Sequence, residues 1–149
     1  MHRRGVSRIV KRVMRPIIGI NMDVAEADGR QRLTLAADYV DAVVESGGQP
    51  RLIACLGLES LLREDVGGVD AFLFVGGADY PSSLYGEAPH EKAKPMSGRR
   101  AETDLLLARL VLERGIPALG ICGGCQLLSI ATGGKLVQHL RHAEAHAGR

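Results

Sequence analysis

The chain has 149 residues, 46% hydrophobic and 24% charged, with 19 glycines and a mean hydropathy near zero. That length fits one domain of about 150 residues, and the composition excludes a mainly disordered chain. Three Tyr, two Phe and no Trp force an aliphatic core and leave few platforms on which single-stranded nucleic acid could stack.

The net charge of +2 is unevenly spread. Residues 1–15 hold six of the 19 basic residues and no acid, so the remainder sets 13 basic against 17 acidic groups. A mildly acidic body argues against nucleic-acid binding. The basic stretch 1–15 is expected to be a solvated tail, since blocks of like charge rarely fold. Val6, Ile9, Val10 and Val13 fall at helical spacing, which keeps RNA contact, membrane headgroups and targeting as lesser readings. No apolar run reaches the ~18 residues of a membrane span, and no secretory signal pattern appears. Three cysteines dispersed through apolar segments point to a reducing, cytoplasmic setting.

In chain order, residues 15–21 form a short β-branched run that predicts a buried strand. Residues 31–46 carry apolar side chains at helical spacing and end in Gly47-Gly48, a C-terminal stop. A second strand is expected over 49–55, a short helix over 58–66 and a third strand over 69–75, which runs into Gly76-Gly77. Residues 78–100, with Pro81, Pro89 and Pro95, read as a long loop of the kind that is usually functional or mobile. An amphipathic helix follows over 101–114, then a strand over 116–121, a helix over 124–132 and a fifth strand over 135–140. Strand alternating with helix across short connections implies parallel strands with right-handed crossovers, an α/β layered sheet. In such sheets ligands sit beyond the carboxyl ends of the strands.

Two of those ends carry glycine turns. Gly120-x-Cys122-x-Gly124 sets a cysteine between a strand and a helix, the cysteine counterpart of a nucleophile elbow. Small flanking residues permit the sharp turn, and the following helix aims free N–H groups at the side chain, which favours an anion there. The Gly123 amide is placed to stabilise an oxyanion.

Gly120-Ile121-Cys122-Gly123-Gly124-Cys125-Gln126, with Gly115-Ile116-Pro117 before it and Gly133-Gly134 after it, resembles the nucleophile region of class I glutamine amidotransferase domains. It is most similar to the γ-glutamyl-γ-aminobutyrate hydrolase branch, peptidase C26. Arg15 to Ile20, Tyr39-Val40 through Gly48-Gln49-Pro50, and Gly76-Gly77-Ala78-Asp79-Tyr80-Pro81 with Tyr85-Gly86-Glu87 fit that branch in order. The resemblance implies a three-layer, flavodoxin-like α/β fold and a thiol hydrolase of γ-glutamyl amides. Cys122 would be the nucleophile, forming a glutamyl thioester. Gly123 and Gly77, with Gly76 in reserve, would form the oxyanion hole, and Gln126 would hold the glutamyl group. No metal or organic cofactor is needed for that chemistry.

The pattern breaks after residue 140. The family's histidine base, in a Trp-His-Pro-Glu-like stretch, has no counterpart, and His142-Ala143-Glu144 comes too early to replace it. The expectation is a basic tail over 1–15 and a C-terminally incomplete domain over 16–149. Such a chain is a fragment, is completed by a homo-oligomer or partner chain, or no longer turns over. Proton transfers without the base would lose ~10²–10⁴-fold in rate. Two other functions stay open: a glutaminase subunit feeding ammonia to a synthetase partner, and an inactive binding protein whose open sheet edge pairs with another chain.

Smaller candidates carry bland readings. Cys122-x-x-Cys125 with His142 and His146 fits zinc spacing poorly, and a redox dithiol is the other minor reading. Cys55 reads as inert core and His90 as a solvated loop residue. Arg99, Arg100 and Asp104 read as surface ion pairing, with a grip on a substrate carboxylate as the alternative. Asp79 reads as a turn cap.

Overall fold

A computed structural model describes residues 14–139. In chain order it contains β1 (Ile17–Asn21), β2 (Asp23–Ala27), β3 (Arg30–Thr34), α1 (Ala37–Glu45), β4 (Gln49–Ile53), α2 (Glu59–Gly67), β5 (Ala71–Phe74), a 3-10 turn (Ser82–Tyr85), α3 (Gly98–Glu113), β6 (Ala118–Gly120) and α4 (Gly123–Ala131). Strands β4, β1, β5 and β6 form one parallel sheet in that order. Taken as the four successive sheet strands, this is the order 2-1-3-4 of a flavodoxin-like doubly wound fold. The α/β class expected from the sequence is therefore present.

Both faces of β5 are buried, and they serve different layers. Phe72 and Phe74 pack with Leu62, Leu107, Val111 and Leu127 beneath α2, α3 and α4, while Leu73 and Val75 join Ile20 and Val43 beneath α1. That two-sided burial is why the strand reads as a continuous apolar run. The α1 face is only part-covered: Leu119 on the edge strand β6 is 62% exposed, beside an apolar hollow lined by Ile18, Val43, Leu73 and Ile121.

Several expectations are corrected. Residues 31–34 belong to a β2–β3 hairpin rather than to the first helix, which starts at Ala37. Asp28 and Gly29 turn that hairpin with φ of +55° and +69°, the doubly left-handed geometry that suits strand twist. The long loop is ordered by the 3-10 turn and by a bridge between Asp79 and Pro95. α3 begins a turn earlier than predicted, at Gly98, because the Ser97 side chain accepts the Arg100 amide and caps it.

The fifth strand does not form over residues 135–139. That stretch is tied instead to the preceding loop, by Lys135 to Glu87 at 2.6 Å and by Gln138 to Ala88 O and His90 N. The 1–13 part of the basic tail, Leu140 and the His142-Ala143-Glu144 and His146 candidates lie outside the described residues. Among the described residues no helix is long and apolar enough to cross a membrane.

Candidate functional site

The site lies beyond the carboxyl ends of β5 and β6. Cys122 links β6 to α4 with φ +51° and ψ −109°, a conformation that costs an L residue about 1–3 kcal/mol. The flanking glycines make this turn sterically feasible. A methyl on Gly120 would come within 2.5 Å of the Cys125 nitrogen, and one on Gly124 would overlap the Phe74 carbonyl. The elbow leaves Cys122 exposed at the start of α4.

Facing it is the turn after β5. A methyl on Gly76 would sit 3.4 Å from both Cys122 Cβ and the Tyr39 hydroxyl, and one on Gly123 would sit 3.3 Å from the Gly77 nitrogen. The two glycine turns are thus in near contact. Their amides are not equivalent. Gly76 N–H donates to the Tyr39 hydroxyl at 3.3 Å, and Gly124 N–H donates to Ile121 O at 2.9 Å. The Gly77 and Gly123 amides donate to no protein acceptor among the described residues. Of the two glycines weighed in that turn, Gly77 has the free amide.

Gln126 is exposed on the first turn of α4 and lines a cleft with Asp79, Tyr80, Tyr85, Val137 and Gln138. The Asp79 carboxylate accepts Lys94 N–H at 2.9 Å, 15 residues along the chain, so it joins the two ends of the loop rather than capping a local turn. His90 stacks on His139 with ring centroids 5.1 Å apart. No hydrogen bond among the described residues reaches the Cys122 thiol. Cys125 is also exposed, whereas Cys55 is buried, as expected of a core thiol. The Cys55 thiol donates to Met22 O at 3.1 Å; burial first, then the Asp104 charge, pushes it up to about 11.

The arginine and aspartate of α3 are not surface groups. Arg100 and Asp104 are both fully buried, and neither is placed to grip a substrate. Arg100 Nε lies 3.2 Å from Asp104 Oδ2, Nη2 donates to Gly76 O at 2.8 Å, and Nη1 lies 2.8 Å from Asp23 Oδ1 without hydrogen-bond alignment. Asp104 also accepts the Asn21 amide at 2.9 Å and the Tyr80 hydroxyl at 2.7 Å. Burial raises the Asp104 carboxyl from its ordinary range, while Asn21, Arg100 and Tyr80 oppose that shift. Burial and the Asp104 charge both raise the Tyr80 phenol. Asn21 Oδ1 closes the network by accepting Val75 N–H at 2.9 Å. Arg99 turns outward, tying α3 to Cys55 O and Gln31.

Sequence reasoning missed Asn21, Tyr80, Arg100 and Asp104 as a unit. A signal existed: positions 100, 104, 107, 108 and 111 form one helical stripe, and all five are buried. The amphipathic face expected over 101–114, through Leu105, Leu106, Ala108, Arg109 and Leu112, shares only Ala108 with that stripe, and Leu112 is 40% exposed.

A doubly wound α/β sheet with a strained, exposed cysteine at one strand end and a glycine turn against it is consistent with one class of protein, the glutamine amidotransferase-like proteins. The peptidase C26 family model matches residues 16–149, and the chain belongs to that family. It is 38% identical over 125 residues to the "Putative glutamine amidotransferase Rv2859c" of Mycobacterium tuberculosis, covering 76% of this chain and 37% of that protein. It is 36% identical over 131 residues to the γ-glutamyl-γ-aminobutyrate hydrolase of Escherichia coli O157:H7, covering 84% of this chain and 49% of that one. The chain therefore spans less than half the length of these relatives.

Proposed function

We propose that this chain carries the nucleophile half of a γ-glutamyl amide hydrolase. The observation that carries the reading is the exposed Cys122 at a left-handed elbow, set against the unpaired amides of Gly77 and Gly123. The Cys122 sulfur attacks the γ-carbonyl carbon, and the carbonyl oxygen takes up negative charge between those two amides. The carbon–nitrogen bond then breaks, the amine leaves with a proton, and a glutamyl thioester remains. Water cleaves the thioester, returning the thiol and releasing glutamate. Gln126 and the cleft beside it hold the glutamyl group, and no metal or organic cofactor enters the scheme.

The acid–base group that passes the thiol proton to the amine and then activates water is proposed to lie outside the described residues or on a second chain. A cytoplasmic setting suits a free thiol nucleophile. Partners are a small γ-glutamyl amide and a homo-oligomeric or completing chain, with neither nucleic acid nor membrane. The outer edge of β6, unpaired among the described residues, and the exposed Leu119 favour such a completing chain, and equally favour the reading of an inactive interaction protein. The glutaminase reading would require free glutamine as donor with a synthetase present.

The experiment is amine release from a panel of γ-glutamyl amides, with Cys122→Ala as control. Release of at least one equivalent per chain, absent in the variant, supports the reading. Equal release from both, or none from either, counts against this chain acting as a hydrolase.

A further inference from the structure

The buried charges of α3 touch neither solvent nor the cleft, yet they end on the turn that faces Cys122. We infer that Arg100, held by Asp104, is a positioning residue that sets the direction of the Gly77 amide. The inference rests on the proposed role of that amide as an oxyanion donor.

The argument is one of peptide geometry. In a planar trans peptide the carbonyl of one residue and the N–H of the next point in opposite directions. Arg100 Nη2 holds the Gly76 carbonyl at 2.8 Å, so the Gly77 N–H points away from the guanidinium. Gly123 lies on that nitrogen side, where a methyl on it would be 3.3 Å from Gly77 N. The guanidinium also fills the space beside Gly77 Cα, where any side chain would overlap Nη1 and approach Cζ within 2.8 Å. The peptide between Gly76 and Gly77 is therefore clamped from one side and open on the other. The Tyr39 hydroxyl fixes the preceding amide, and Asn21 fixes the one before it through Val75 N–H.

Asp104 keeps Arg100 in this pose. It binds Arg100 Nε one helical turn away and is itself fixed by Asn21 and Tyr80, from β1 and from the loop after β5. A buried pair with this many partners is poor evidence of net stabilisation. It does hold a planar fork at one angle, which a flexible lysine cannot reproduce. Asp23 faces Nη1 from β2 and is 43% exposed, so the network also reaches solvent at that end.

The test compares two reactions of Cys122 in the full chain, both read by peptide mass and the first also by released chromophore. Acylation by γ-glutamyl p-nitroanilide needs the oxyanion donors; alkylation by iodoacetamide, a displacement at saturated carbon, does not. Arg100→Met should slow acylation by about 100-fold, the scale of losing one donor. It should leave alkylation within about two-fold, as expected where the transition state forms no oxyanion. Arg100→Lys should fall between, and Tyr80→Phe, which removes one of several donors to Asp104, should cost acylation less than Arg100→Met. If Arg100→Met does not fold, the Lys and Phe variants carry the comparison. Folded variants that acylate at the wild-type rate overturn the inference.

Absence of acylation in the wild type would sink the hydrolase reading instead. The brace would then be judged by the Gly77 amide resonance alone. It should move between wild type and Arg100→Lys while that of Gly115, just beyond the far end of α3, stays put, and an unmoved Gly77 resonance overturns the inference.

Discussion

Two glycine-to-alanine changes in the first turns of two helices separate packing from helix propensity. Gly98 opens α3 with nothing within 4 Å of an added methyl, whereas Gly124, in the first turn of α4, backs directly onto β5. Neither residue has a positive φ, so backbone strain drops out of the comparison. At Gly98 alanine should add up to ~0.5–1 kcal/mol through backbone entropy.

At Gly124 the methyl overlaps the Phe74 carbonyl oxygen and lies 2.6 Å from its carbon, against ordinary contact starting at 3.4 Å. The obstacle is backbone, and the same oxygen accepts Ile121 N–H at 2.9 Å in the β5–β6 ladder. α4 must therefore retreat, at an overpacking cost of about 1–3 kcal/mol, of which propensity returns only part. One kcal/mol moves the midpoint of a domain this size by roughly 3–5 °C. The two variants should then melt about 5–10 °C apart by circular dichroism, Gly124→Ala lower. Gly124→Ala melting at or above Gly98→Ala would refute the packing account of the elbow.

Further outcomes follow from the three thiols. With a disulfide reagent in native buffer, two thiols should react fast, Cys122 and Cys125, and Cys55 only on unfolding; a fast third equivalent would contradict the fold around β4. Cys55 also links stability to pH. Its thiol is raised in the folded state from the ordinary 9.0 to about 11, so the unfolded chain loses its proton first. The contribution is fully present below pH 9 and is lost as pH rises from 9 to 11, an effect of about 2–3 kcal/mol. Urea midpoints across that window should fall more steeply for wild type than for Cys55→Ala; parallel slopes would contradict the assignment.

The sheet strands and the elbow were legible because their signals are local. β5 is an apolar run buried on both faces, and the glycines at 120 and 124 stand where a methyl would strike backbone. The hairpin carries a strong local signal in Asp28-Gly29, but the apolar spacing that continues into α1 masks it. The fifth strand failed for a different reason. Residues 135–138 are held by side-chain contacts to residues 87–90, which no local pattern reveals.

The α3 network sits between these cases. The stripe through Arg100 and Asp104 can be read from spacing, but a charged pair reads as solvated until its partners are known. Those partners, Asn21, Tyr80 and the Gly76 carbonyl, come from segments 24 to 83 residues away. That the Gly76 amide is engaged and the Gly77 amide is not depends likewise on the Tyr39 hydroxyl, 37 residues off in sequence.

The most direct test of the central claim is the mass of the Cys122 peptide after brief exposure of the 149-residue chain to γ-glutamyl p-nitroanilide and acid quench. The account predicts a glutamyl adduct on Cys122, removable by hydroxylamine as a thioester is, and its absence from Cys125 and Cys55. An unmodified Cys122, or an adduct carried equally by Cys125, would contradict it.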